Sequence, residues 1–138
     1  MRVMAIDYGD ARTGLAVSDL SGQLAGDAWT VSGWDPEVLA ATIAREAASR
    51  GVQKLVLGLP RNMDGSEGPR AQKSRDFGAL LAQKTGLDVE MWDERLTTVH
   101  AHRILTDVGK HGKKRKATID AVAATLILEG YLQSRPFN

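Results

Sequence analysis

The sequence predicts an α/β protein, a three-layer arrangement in which a mixed five-stranded sheet carries helices on both faces. Three observations predict it. The first thirty residues hold short apolar runs separated by glycine-containing turns, with no room for a helix between them. From Asp35 onward, strand-like runs alternate with helical segments bounded by Pro and Gly. The run KLVLGLP between two such helices is apolar almost throughout, as strands covered on both faces are. Strands joined through helices are expected to be parallel, while the first three can form an antiparallel meander.

Each element follows from its own residues. Arg2 to Asp7 and Thr13 to Ser18 read as strands joined by the loop from Gly9 to Gly14, and a third strand is expected over Asp27 to Val31. Asp35-Pro36-Glu37 marks a helix start: a capping carboxylate, a proline at the first helical position and an acid near the positive end of the dipole. That helix runs through LAATIAREAASR and stops at Gly51. KLVLGLP is a buried strand ended by Pro60, and RNMDGSEGPR is a loop. A helix over Arg70 to Thr85 closes at Gly86, and a strand covers Asp88 to Asp93. A helix from Thr98 to Val108, a loop GKHGKKRK and a last helix ATIDAVAATLILEGYLQS complete the chain, the last with Ile119, Val122, Leu126 and Tyr131 at helical spacing. This is the element order of the ribonuclease H-like fold, a likeness of architecture that does not by itself set function.

The 138 residues fit one domain, 1–138, able to bury about two-thirds of the surface of the unfolded chain. A hydrophobic share of 43% and a charged share of 25% are those of an ordinary globular protein. No apolar run is long enough to span a membrane, the N-terminus does not resemble a signal peptide, and the chain contains no cysteine. Disulfides and thiolate zinc sites are thereby excluded, and a cytoplasmic location is expected. The net charge is +1, but between Arg103 and Lys116 six cations face the single acid Asp107, a local +5 that leaves −4 for the remainder. Such a cluster fits either a polyanion contact or a solvated loop.

An aspartate closes the first apolar run. Asp7 follows Val3-Met4-Ala5-Ile6 and so falls at the C-terminal end of a central strand, where open α/β sheets bind ligands. Asp93 and Glu94 stand at the corresponding end of the last strand, and Asp120 is expected one turn into the final helix. Taken singly, each has an ordinary structural reading: turn chemistry before Gly9 for Asp7, a helix cap for Asp93 or Glu94, a favourable dipole for Asp120. Taken together, they place three carboxylates at one sheet edge. Such a cluster takes up protons or a cation. Hard oxygen ligands of this kind suit Mg²⁺ or Mn²⁺, and metal ions so held can activate water against a phosphodiester.

The basic residues complement the acids. Arg12 lies beside Asp7 in sequence, Arg95 follows the acidic pair, and Lys113, Lys114 and Lys116 precede Asp120; all can neutralise backbone phosphates. Asn62 and Ser66, in the long loop RNMDGSEG, can join the same rim. His100 and His102, two apart on a helix, point in different directions and do not suit one metal, and His111 is expected in solvent. Trp29, Trp34 and Trp92 lack a regular spacing and are expected to pack in the core or at its edge.

Four segments in order, AIDYGDARTGLAVSD, VLGLPRNMDGSEG, DERLTTVHA and KATIDAVAATLIL, make the chain resemble the YqgF (RuvX) family over nearly its whole length. That family comprises bacterial ribonuclease H-like nucleases related in fold to Holliday junction resolvases. The resemblance implies a metal-binding catalytic set of Asp7, an acid of the DER motif and Asp120. Within DER, Glu94 is favoured and Asp93 stays open, because adjacent strand residues face opposite ways. It also implies processing of the 5′ end of the small-subunit ribosomal RNA precursor (pre-16S rRNA), with a DNA junction or single-strand nuclease as the alternative. RNA is thus the favoured partner and DNA stays open. The chain is expected as a monomer or homodimer, and cutting a junction would require a symmetric dimer. Two other classes follow from the residues. A nucleotide-binding module of the actin and sugar-kinase type fits DYGDARTG but needs two such domains. A non-catalytic RNA-binding protein would have to keep three acids together without a metal, at a cost.

Overall fold

Val3 to Ile6 alternate between the two faces of an extended strand, yet all four are buried, because both faces are covered. In the computed structural model, which describes residues 1–96 and 112–135, this run is β1 (Arg2–Asp7), the centre of a five-stranded sheet. β2 (Arg12–Ser18) and β3 (Ala25–Ser32) fold back beside it as an antiparallel meander. β4 (Val52–Leu59) and β5 (Val89–Asp93) lie parallel on its other side, giving the order β3-β2-β1-β4-β5. The expected mixed sheet is the one observed.

Helices α1 (Pro36–Ser49) and α2 (Pro69–Thr85) start where proline fixes the first turn. Asp35 Oδ1 accepts from the Glu37 amide at 3.0 Å, and Gly86, at φ 70°, ends α2 in the left-handed conformation that glycine adopts freely. Both helices pack on the face formed by Met4, Ile6, Leu15, Val17, Leu55 and Leu57. On the opposite face α3 (Gly112–Ser134) covers Val3, Ala5, Ala16 and Val56 with Ala124, Ile127, Leu128 and Tyr131. Residues Glu94–Leu96 form a single 3₁₀ turn directly after β5.

The structure departs from expectation in three places. α3 begins at Gly112, so Lys113, Lys114 and Lys116 lie on its first turns rather than in a loop, and Asp120 lies about two turns in rather than one. Lysine, arginine and alanine are good helix formers, and the run KKRKA extends the helix that its charge obscures. The buried face of α3 is Ala124, Ile127, Leu128 and Tyr131, while Ile119, Val122 and Leu126 are half-buried. Trp34 is packed neither in the core nor at its edge: it is 82% exposed, just before α1. The expected helix over Thr98 to Val108, and His100, His102 and His111, lie outside the described residues. Among the described residues no helix is long and apolar enough to cross a membrane.

Candidate active site

Alternation along the strands decides which side chains meet. Asp7 has the parity of Val3 and Ala5, and so lies on the face covered by α3. In the ladder its partner is Gly14 of β2; on the other side Gly58 of β4 pairs with Trp92 of β5, which also packs under α3. Glu94 opens the 3₁₀ turn that follows, on the same side of Gly58 as Ile127 of α3, and its carboxyl reaches the Asp7 carboxyl in a side-chain hydrogen bond. Asp93 is paired instead with Arg95: the guanidinium donates to its two oxygens from Nε at 3.1 and 3.0 Å and from Nη2 at 2.7 Å, and the Arg95 amide donates to Oδ1 at 3.0 Å. Of the two adjacent acids, Glu94 therefore meets Asp7.

Two glycines make this convergence sterically possible. A Cβ at Gly58 would stand 2.9 Å from Ile127 Cδ1 and 3.0 Å from both Cγ and Cδ of Glu94, so the missing side chain is the passage by which Glu94 crosses β4 toward Asp7. A Cβ at Gly14 would collide with the backbone carbonyl of Asp120. The bare strand thus lets α3 lie directly on β2, beside the ladder partner of Asp7.

The electrostatics follow from burial and crowding. Burial pushes the Asp7 carboxyl up to about 8, and the charges of Glu94 and Asp120 add to the effect. Glu94 is also raised, first by its burial, so near neutral pH the two carboxyls share a proton through the hydrogen bond between them. Asp120 is raised by burial, opposed by Arg12, whose Nε stands 3.3 Å from Asp120 Oδ2. The bond from Arg95 holds Asp93 below the usual carboxylate range. Among the described residues no three His, Cys, Asp or Glu side chains are grouped to hold a metal ion as they stand. Two half-buried hard oxygen donors already in contact, with a third carboxylate near them on Arg12, nevertheless match the donor set of a hard divalent cation.

The family model described as RuvX, Holliday junction resolvase, matches residues 1–134. The chain belongs to the RuvX family. A RuvX-family relative from Myxococcus xanthus is 46% identical over 134 residues, covering 97% of this chain and 89% of that protein. One from Halothermothrix orenii is 45% identical over 132 residues, covering 96% of this chain and 94% of that protein. Both carry the name "Putative pre-16S rRNA nuclease". The fold is that of T. thermophilus RuvC in complex with Holliday junction substrate, with a TM-score of 0.62 at 11% identity over 97% of each chain. It is also that of the Fowlpox virus resolvase in complex with junction DNA, with a TM-score of 0.60 at 11% identity over 97% of this chain and 98% of that one. At such identities the likeness is one of architecture, the ribonuclease H-like sheet.

In this RuvX-family chain the residues expected to bind substrate fall into three groups. Arg12 stands at the acid cluster, on Asp120. Arg95, Asn62 and Ser66 form one rim beside it. Asn62 Nδ2 donates to Ser66 Oγ at 2.9 Å, Ser66 Oγ donates to Asp64 at 2.6 Å, and Arg95 Nη1 donates to the Met63 carbonyl at 3.4 Å. Lys113, Lys114 and Lys116 are placed by backbone alone, on the helix that carries Asp120, and their side chains lie outside the described residues. The sequence reading missed Arg70, on the first turn of α2. Its charge is felt by Asp7 and Glu94, and its Nη1 bonds Asp10 Oδ2 at 3.1 Å, with Lys73 Nζ on Asp10 Oδ1 at 2.8 Å. The signal available was its position directly after the helix-starting Pro69, at the end of a loop leaving a central strand.

Proposed function

We propose that the chain, as one domain over 1–138, is a divalent-metal-dependent nuclease that hydrolyses phosphodiester bonds, and that its substrate is the 5′ region of pre-16S rRNA. The observation that carries this is the proton-sharing pair Asp7–Glu94 at the C-terminal edge of the sheet, with Asp120 beside it. Asp7, Glu94 and Asp120 would hold Mg²⁺ or Mn²⁺, and Asp93 would not, because Arg95 engages both of its oxygens. A cation held there would supply Lewis-acid chemistry, activating water against the phosphodiester. The chain supplies the rest. Arg12, Arg95, Asn62 and Ser66, with Lys113, Lys114 and Lys116, line up the phosphates of the strand to be cut. The names of the relatives support RNA, and a nuclease of RNA precursors works in the cytoplasm.

A second reading, cleavage of branched DNA, is favoured by the description of the family model and by the junction-bound structures that share the fold. It requires a homodimer, whereas a monomer suffices for RNA. Labelled pre-16S rRNA and a four-way DNA junction, each incubated with Mg²⁺, Mn²⁺ or EDTA, separate the two. Metal-dependent cleavage of the RNA, lost in Asp7→Asn, is the expected result. Preferred cleavage of the junction would move the assignment to the second reading, and binding without cleavage under any metal would remove both.

A further inference from the structure

We propose that Arg12 is a latch on the third carboxylate: in the free protein its guanidinium holds Asp120, and on binding it passes to a phosphate of the nucleic acid, releasing Asp120 to complete the metal site. This rests on the nuclease reading above and adds to it a coupling between substrate binding and metal binding.

The geometry of the pair is what singles it out. Arg12 and Asp120 are 108 positions apart in sequence and meet only through the fold. Their contact is a single one, through Nε at 3.3 Å, where Arg95 grips Asp93 through Nε and Nη2 together, at distances down to 2.7 Å. An Arg–carboxylate pair built for rigidity is bidentate, and the Arg12 contact is not. Both side chains keep an open flank, being 34% and 23% exposed, so a polyanion can reach the guanidinium without disturbing the core. The backbone of Asp120 cannot follow, because its carbonyl rests on Gly14. A change of partner is therefore a rotation of side chains alone, at a position beside the ladder partner of Asp7. A phosphate offers the guanidinium a better acceptor than one carboxylate oxygen at 3.3 Å, because it can be gripped by two N–H groups at once.

The coupling is reciprocal, since whatever frees one partner strengthens the ligand of the other. A half-exposed ion pair is worth up to about fivefold in an equilibrium constant. The test is a pair of double-mutant cycles on the full chain, with folding of each variant checked by circular dichroism. Mn²⁺ is titrated calorimetrically without nucleic acid, and a labelled single-stranded RNA is titrated by anisotropy in EDTA, where nothing is cleaved. Arg12→Gln should tighten Mn²⁺ binding about fivefold, with no gain when Asp120→Asn is already present. Asp120→Asn should tighten RNA binding by a similar factor, with no gain when Arg12→Gln is already present. Arg12→Lys, which keeps the charge, should leave Mn²⁺ affinity within about twofold of the wild type. Gains that survive in the double variants would be general charge effects and would overturn the latch, as would no gain in either cycle while Asp7→Asn still loses Mn²⁺. Mn²⁺ binding that is equal in wild type and Asp7→Asn would instead overturn the metal site itself, and the latch with it.

Discussion

Strand β5 and its neighbours carry acids at both ends, and the two ends treat them in opposite ways. At the N-terminal end, Asp88 and Glu90 share a lysine: Lys54 Nζ stands 2.7 Å from one carboxylate and 3.2 Å from the other, and its own charge is held more firmly by them. At the C-terminal end, Asp7 and Glu94 share a proton. The first arrangement is what an acid pair becomes when a fixed cation is supplied by the chain; the second is what it becomes when the charge must come from solution. Asp88 and Glu90 are neutralised within the chain, whereas Asp7 and Glu94 are crowded, half-buried and share a proton, a pattern that clusters at functional sites.

The comparison can be broken most forcefully at Asp7. Asp7→Asn should reduce metal-dependent cleavage by more than about a hundredfold, beyond what loss of an outer-sphere partner costs, while the melting temperature is retained or raised. Gly58→Ala comes next. The added methyl takes the space of the Glu94 side chain and of Ile127 Cδ1, and it should cost about tenfold to a hundredfold in kcat by displacing one carboxyl, as seen by cleavage kinetics on a protein that still folds.

A smaller effect separates the two ends by pH. In the unfolded chain Asp7 ionises near its ordinary 3.8, but in the folded one near 8. Its protonated form therefore supports the fold fully below about pH 4, and that contribution is lost as the pH rises through 8. The metal-free melting temperature should fall by several degrees between these limits, and Asp7→Asn should flatten the decline. The smallest effect lies at the other end. Lys54→Ala should cost about 1 kcal/mol in urea unfolding, with cleavage unchanged.

Much of this was legible in the sequence because it is punctuated. Pro36, Gly51, Pro60, Pro69 and Gly86 bracket α1, β4 and α2, and their bounds fell within a residue or two of expectation. The acids could be placed at the sheet edge because Asp7 ends an apolar run and Asp93–Glu94 stand at the end of the last strand. The choice between Asp93 and Glu94 was less accessible, for it depends on the register that sets Gly58 opposite Trp92, and register is a property of two strands at once. The face of α3 was misread because ATIDAVAATLIL is apolar nearly all round, so periodicity selects no single stripe. The choice falls instead to the small residues Ala5, Ala16 and Ala124, which let the helix approach. The Arg12–Asp120 contact has no local signal of any kind.

The most direct test of the proton-sharing pair as a cation site compares two neighbours in the chain. Calorimetric titration of Mn²⁺ into wild type, Glu94→Gln and Asp93→Asn should give strong loss of binding in Glu94→Gln, by about a hundredfold, and no more than a fivefold change in Asp93→Asn, about what an exposed ion pair is worth. Equal losses in the two variants, or a greater loss in Asp93→Asn, would contradict the assignment of Asp7 and Glu94 as the metal-holding pair.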